Sequence, residues 1–176
     1  MFGLFGNSGS KLKVIDKVWM SKEAKWNACK SMMHANPACV FIAWFEDTHH
    51  ELSRIVGDGN VQLAAKIDYE KLRDRMVVFA EHYPLPEQEQ ALFKTLGLKE
   101  IPVTSSLDEP LFKHFGGERL IETIKKLGMK EDEVIGHSFI TSAIRNAQEK
   151  LERKVRVEKP ANSAEQWFVL NASSLN

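Results

Sequence analysis

The chain has 176 residues, 43% of them apolar and 27% charged, which fits one globular domain with a full hydrophobic core. Its 24 basic residues balance its 24 acidic ones, so no net field draws the whole molecule to nucleic acid, and we expect no nucleic-acid partner. No stretch approaches the roughly 18 apolar residues of a membrane helix, and the N-terminus lacks a charged region before a long apolar run, which predicts a cytoplasmic protein.

Short apolar runs alternate with segments of helical periodicity along the chain, which is typical of a parallel α/β sheet. Strands are predicted over residues 14–20, 38–45, 61–67, 76–82 and 101–107. Helices are predicted over residues 21–36, 47–56, 69–75, 84–96 and 118–127. Ser21 and Asp108 are predicted N-caps, and Gly97 is predicted to end a helix. These elements predict an α/β fold in three layers, with about five mostly parallel strands and helices on both faces.

Cysteine and histidine spacing argues against a metal centre. Cys29 and Cys39 have no CxxC spacing and lie on apolar segments, so we expect reduced, buried thiols. His49 and His50 are adjacent on a predicted helix and point about 100° apart, so they cannot chelate as an i, i+4 pair could. The sequence therefore predicts no metal ligands.

The N-terminal residues form a separate arm in the predicted organisation, which divides the chain into 1–12, an α/β domain over 13–135, and a helix with a tail over 136–176. The segment 6–11 is similar to a phosphate loop, but Leu12 stands where a Ser or Thr would hold magnesium and no strand precedes it. Phe2, Leu4 and Phe5 predict at most a weak peripheral contact with the inner face of the plasma membrane, the alternatives being disorder or packing on the domain.

The C-terminal region carries the predicted partner surface. This surface consists of an apolar stripe at helical spacing and an apolar anchor in the tail. The stripe comprises Ile140, Ala143, Ile144, Ala147 and Leu151, and the anchor includes Trp167 and Phe168. The anchor either returns to the core of its own domain or docks on a partner protein, since clustered aromatic side chains make good interface anchors.

The order of short motifs over residues 108–154 is the most specific signal in the chain. These motifs are Asp108-Glu109, Leu111-Phe112, Phe115, Gly117-Glu118-Arg119, Leu127-Gly128-Met129 and Ala143-Ile144 followed by Ala147-Gln148 and Lys150. In this order they resemble the junction in the SecA preprotein translocase ATPase where the second helicase-like motor domain ends and the helical scaffold begins. Upstream, Asp16 to Ser21 and Trp26 are similar to the strand and helix that open the same domain. The likeness covers most of residues 14–154.

The resemblance implies a RecA-like fold and also shows what this chain lacks. The family supplies an arginine finger from a Gln-x-x-Gly-Arg-x-Gly-Arg segment between the strands that correspond to 76–82 and 101–107. Here that segment is QEQALFKTLG, and no arginine occurs between Arg75 and Arg119. Lys94 cannot provide the planar fork of arginine, and the finger contributes on the order of 10³ to 10⁵ in rate. We therefore expect a degenerate motor domain that is not an enzyme.

A residual small-molecule site is predicted where open α/β sheets place their ligands, at the carboxyl ends of the strands. Glu81 and His82 end the fourth strand, where the family has Glu-Arg-His, and Thr104 and Ser105 lie on the fifth. The resemblance implies ATP or ADP as the ligand if one binds. The alternative is a strand-end pair exposed to water, with no cofactor.

Three functions follow from these observations. The first is a non-catalytic SecA-like module that binds a protein partner, either a component of preprotein translocation or a second copy of the chain. The second is a nucleotide-binding half-site that completes an ATP site with a partner. The third is a small enzyme on a doubly wound sheet, whose catalytic residues assemble from distant positions.

Overall fold

The computed structural model describes residues 12–136 and 138–173. In chain order its elements are β1 Lys13–Trp19, α1 Lys22–Ala35, β2 Cys39–Ala43, α2 Glu46–Val56, β3 Val61–Leu63, β4 Met76–Phe79, α3 Pro86–Leu96, β5 Glu100–Ser106, α4 Pro110–Lys113, α5 Gly117–Lys126, α6 Ser138–Lys154 and α7 Ala164–Asn171. Short 3₁₀ helices cover Asp58–Asn60, Ala64–Lys66 and Tyr69–Leu72. The strands form one sheet in the order β1-β5-β4-β2-β3 with every neighbouring pair parallel. The predicted α/β class is therefore confirmed.

Helices cover both faces of the sheet, and the interior strand β2, between β4 and β3, is buried throughout. On one face Cys29 of α1 and Leu52 of α2 pack against Phe41 and other apolar side chains of the sheet. On the other face Phe93 of α3 packs against Ile42 and its neighbours. A strand buried on both faces needs a continuous apolar run, which is why residues 39–43 read as an unbroken hydrophobic segment.

A third apolar cluster joins the two C-terminal helices to the carboxyl end of the sheet. Its buried members include Leu107, Ile144 and Trp167, which come from the end of β5, from α6 and from α7. Trp167 is fully buried and Phe168 is 2% exposed, whereas the next residue, Val169, is 69% exposed. The tail therefore packs on the core of its own chain, which is the first of the two predicted alternatives.

Several predicted boundaries differ from the structure. Strand β3 stops at Leu63, and the residues predicted to continue it form the 3₁₀ helix Ala64–Lys66. The predicted cap at Asp108 is wrong, because α4 begins at Pro110 with Glu109 at its N-cap. The Asp108 carboxylate instead accepts a hydrogen bond of 3.0 Å from the backbone N–H of Lys22 and so serves α1. The cap at Ser21 and the left-handed Gly97 at the end of α3 are confirmed.

The predicted membrane contact through Phe2, Leu4 and Phe5 lies outside the described residues. Within residues 12–136 and 138–173, no helix is both long enough and apolar enough to cross a membrane.

Candidate functional site

The Glu81 carboxylate fills the N-terminal end of helix α2. One of its oxygens accepts hydrogen bonds from the backbone N–H groups of Trp44 and Phe45 at 3.0 and 3.2 Å. The other accepts the hydroxyl hydrogen of Thr48 at 2.7 Å. Exposed N–H groups at a helix N-terminus are where parallel α/β folds hold anions such as phosphate. In this chain an internal carboxylate takes that position.

A buried lysine lies beside this carboxylate. Lys25 of α1 is 1% exposed, and its ammonium donates to the carbonyl oxygen of Ala80 at 2.9 Å and to the carboxylate of Glu109. The same ammonium lies 4.0 Å from the centroid of the Trp26 ring. A buried charge needs such partners, because its desolvation is otherwise costly. The buried ammonium of Lys25 is therefore paired by groups of the same chain.

His82 is held between two carboxylates. Its Nδ1 lies 2.8 Å from Glu89 Oε1, and its Nε2 lies 3.0 Å from Asp16 Oδ1. The second oxygen of Asp16 accepts from the hydroxyl of Thr141 at 2.5 Å, and that of Glu89 accepts from Gln148 at 2.9 Å. A carboxylate only accepts, so both ring nitrogens donate and the ring carries a positive charge. The cluster links β1, β4, α3 and α6.

Burial and neighbouring charges shift the pKa values of Glu81 and His82. Burial raises the pKa of Glu81 to about 7, although the nearby charge of Lys25 opposes that shift. Burial alone would lower the pKa of His82, but the charges of Glu89 and Asp16 and the hydrogen bonds to them raise it to about 10. At neutral pH the His82 ring therefore has no free lone pair and cannot act as a general base.

The tail closes over this end of the sheet through one acidic residue. Glu158 accepts hydrogen bonds from the hydroxyl of Tyr83, from the side-chain amide of Gln88 and from the indole N–H of Trp167, the last at 2.5 Å. These donors come from the loop after β4, from α3 and from α7. Glu158 therefore joins the tail to the sheet end at which Glu81 and His82 lie.

The structure brings the predicted nucleotide-site residues to one edge of the sheet but buries them. Glu81 and His82 are 5% and 8% exposed, so the alternative of a water-exposed strand-end pair is wrong. Thr104 donates its hydroxyl hydrogen to the carbonyl of Phe79 at 3.0 Å, and the buried side-chain hydroxyl of Ser105 has no hydrogen-bond partner among the described residues. Nucleotide binding by these residues stays a prediction.

Sequence reasoning missed the residues that complete the clusters. Lys25 lies one helical turn before the buried Cys29, and that i, i+4 spacing could have placed it on the inward face of α1. Glu109 had no such signal, because Lys25 lies 84 residues away. Glu89 is only seven residues from His82, but it lies on the next helix, where no periodic spacing relates the two. The sequence marks Asp16 only as part of the motif at residues 16–21.

The predicted partner stripe on α6 mostly faces its own core. Ile140, Ile144, Ala147 and Leu151 are all 4% exposed or less. Ala143 is exposed and lines a groove of about 340 Å³ between α6 and the α4–α5 segment, together with Phe115 and Leu120. Partner binding by any of these residues, or by Trp167 and Phe168, stays a prediction.

Both cysteines are free and buried, as the sequence predicts. Burial raises the pKa of Cys29 and of Cys39 to about 11, so both thiols are neutral and unreactive at physiological pH. Among the described residues, no group of three or more histidine, cysteine or acidic side chains is arranged to hold a metal ion.

The all-parallel sheet with helices on both faces defines this chain as an α/β domain. Comparison with known proteins relates part of the chain to one family. A segment of 49 residues, 28% of the chain, is 51% identical to the protein translocase subunit SecA of Acidithiobacillus ferrooxidans. Segments of 47 and 49 residues are each 47% identical to the SecA subunits of Alkaliphilus oremlandii and Wigglesworthia glossinidia brevipalpis.

These matches support a SecA-related segment within the chain. The matched segment spans only 5 to 6% of the length of each of these relatives. No protein-family model matches the chain.

Proposed function

We propose that this chain is a non-catalytic relative of the second motor domain of SecA, and that it acts by binding a protein of the preprotein translocation machinery. The observation that carries the proposal is the 51% identity over 49 residues to a protein translocase subunit, within a chain that folds as a parallel α/β sheet. The order of motifs over residues 108–154 supports the motor-domain assignment.

The charges at the carboxyl edge support the non-catalytic part of the proposal. A nucleotide phosphate placed at the start of α2 would have to displace the Glu81 carboxylate from three hydrogen-bond donors. The neighbouring ammonium of Lys25 is already paired with Glu109. An added phosphate would then meet two carboxylates at close range, which is unfavourable in a buried setting. The sequence also has no arginine between Arg75 and Arg119.

The ATPase test uses the pure full-length chain with magnesium and ATP, and a SecA motor as the positive control. We expect phosphate release at the background rate and no heat of ATP binding by titration calorimetry. Hydrolysis that co-purifies with the folded chain through two columns would contradict the non-catalytic proposal. ATP binding by the mixture in excess of that measured for the SecA motor alone would favour the half-site alternative.

The partner test measures binding of immobilised chain to the purified SecA motor and to its membrane channel in detergent. The exposed part of the predicted partner surface is the groove at Ala143, so Ala143→Arg is expected to weaken binding at least about tenfold by steric and charge conflict. Ser142→Arg adds the same side chain at the adjacent exposed position of α6 and is the matched control. If neither the motor nor the channel binds the folded wild-type chain, the translocation link is wrong.

A further inference from the structure

The apolar groove between α6 and the α4–α5 segment has the dimensions of a short helix. Its volume is about 340 Å³. Phe112 and Ile144 line it as buried side chains, Phe115 and Leu120 as half-buried ones, and Ala143 is exposed at its mouth. The lining residues of α6 run from position 143 to position 150, a rise of about 10 Å or two helical turns. The groove can therefore accept the apolar face of a packed helix.

Helix α6 carries opposite charges on the two sides of its buried face. Lys150 lines the groove, with its ammonium 5.6 Å from the centroid of the Phe115 ring, and Lys154 lies one turn further along the same side. Both lysines are exposed, and neither forms an ion pair with any residue in the described ranges. Glu149 and Glu152 instead line the cleft toward α3, on the other side of the helix. The groove side of α6 is therefore basic.

The groove is formed by residues away from the positions where the described ranges end. Leu12, the first described residue, lines the cleft on the opposite side of α6. Gly136, which ends the first range, lines a different cleft against α1. No residue that lines the groove is a sequence neighbour of an undescribed position. Its occupant must therefore be judged from the shape and charge of its own walls.

We propose that this groove binds an amphipathic helix of another protein, which places apolar side chains at positions i and i+4 in the groove and acidic side chains beside Lys150 and Lys154. These lysines lie toward the C-terminal end of α6, so a helix antiparallel to α6 brings its first turn next to them. Acidic residues in a first turn also stabilise the bound helix, because its N-terminal end carries a partial positive charge. The recognised pattern is an acidic turn followed by apolar-x-x-x-apolar.

A second copy of the chain fits this groove less well. Two copies that met groove to groove would bring the lysines at 150 and 154 of each toward those of the other, and like charges at close range repel. Helix α2 has an acidic first turn, but its apolar pair Leu52 and Val56 is buried in its own core. The inference rests on the partner-binding role proposed above and adds the chemistry of the bound segment.

The experiment selects random sixteen-residue peptides displayed on phage against the full chain and measures dissociation constants of enriched peptides by fluorescence anisotropy. We expect enrichment of the acidic, then apolar-x-x-x-apolar pattern. Lys150→Glu should weaken binding by about five- to tenfold, and replacing an acidic peptide residue with lysine should restore binding to that variant. Lys30→Glu makes the same charge change at an exposed position of α1 and should leave binding within about twofold.

A proline placed between the two apolar peptide residues tests the helical form, and we expect it to abolish binding because it breaks the helix. The inference is wrong if no peptide is enriched, or if enriched peptides bind Lys150→Glu and Ala143→Arg unchanged. It is also wrong if the free chain sediments as an oligomer that Ala143→Arg dissociates, since a second copy would then occupy the groove. Peptide binding with the expected effects supports the inference even if neither the SecA motor nor its channel binds, so the two proposals fail separately.

Discussion

Asp16 of β1 and His82 beyond the end of β4 are joined by a hydrogen bond of 3.0 Å, although 66 residues separate them in the chain. Strand β5 lies between β1 and β4 in the sheet, so this hydrogen bond spans β5 without involving it. Glu89 holds the other ring nitrogen of His82 and adds α3 to the same cluster. One protonated ring therefore connects the edge strand, the sheet and a helix.

The stability of the protein should fall as the pH rises from 7 to 9. The pKa of His82 is raised to about 10 in the folded chain, whereas an unfolded histidine titrates near 6.5. Folded His82 keeps its proton in this range, whereas the unfolded form has lost it. The contribution of the charged ring to the free energy of unfolding is therefore fully present below about pH 6.5 and is lost as the pH rises through 10. The expected slope is about 1.4 kcal/mol per pH unit, measured by urea unfolding.

A His82→Gln variant is the control for that slope. Glutamine retains one donor but does not titrate, so its free energy of unfolding should change much less between pH 7 and 9. Equal slopes for the two proteins would assign the pH dependence to other groups.

Lys25→Met should destabilise the fold by about 3–5 kcal/mol. A methionine side chain has nearly the length of lysine, but it leaves the Glu109 and Glu81 carboxylates without their buried cation. Lys22→Met is the matched control, since Lys22 is 40% exposed and pairs with Glu51 at the surface. Its expected cost is below about 1 kcal/mol. Chemical denaturation of both variants gives the comparison.

A double variant separates the ion pair from packing. Lys25→Met combined with Glu109→Gln should be less destabilised than the sum of the two single variants, because each partner is costly mainly when the other remains. Additive costs would mean that the charges do not interact as the structure places them.

Gly117→Ala should destabilise the chain by more than about 2 kcal/mol. A Cβ at this position would lie 2.4 Å from the carbonyl oxygen of Leu107 and 2.9 Å from Cβ of Phe112, so the start of α5 must move. Gly59→Ala is the control, because nothing lies within 4 Å of its added Cβ. Thermal unfolding of the two variants should differ by several degrees, and equal midpoints would contradict the close packing at α5.

Trp167→Ala should cost about 3–5 kcal/mol, because the indole is fully buried and its N–H bonds to Glu158. Val169→Ala, two residues further along the same helix and 69% exposed, should change the unfolding free energy by less than about 0.5 kcal/mol. Truncation after Pro160 removes α7 and should prevent stable folding. A truncated chain with native stability would show that the tail is not part of the core.

The regular elements could be predicted because their signals are local. The apolar run at 39–43 identifies a strand buried on both faces, and Ser21 and Gly97 mark helix ends through hydrogen bonds and backbone angles of neighbouring residues. The order of motifs over 108–154 likewise identified the SecA likeness. The predicted cap at Asp108 is wrong because its carboxylate accepts a hydrogen bond from the backbone N–H of Lys22, which is 86 residues away.

The sequence by itself determined that this protein is a parallel α/β domain, that its cysteines are buried, and that no arginine lies between Arg75 and Arg119. Only the tertiary structure decided that Lys25 meets Glu109, that His82 lies between Asp16 and Glu89, and that Trp167 enters the core of its own chain. Periodicity and caps report on residues within a few positions of one another. Pairings across 66 to 84 residues depend on strand order and on the path of the C-terminal helices, which no local pattern encodes.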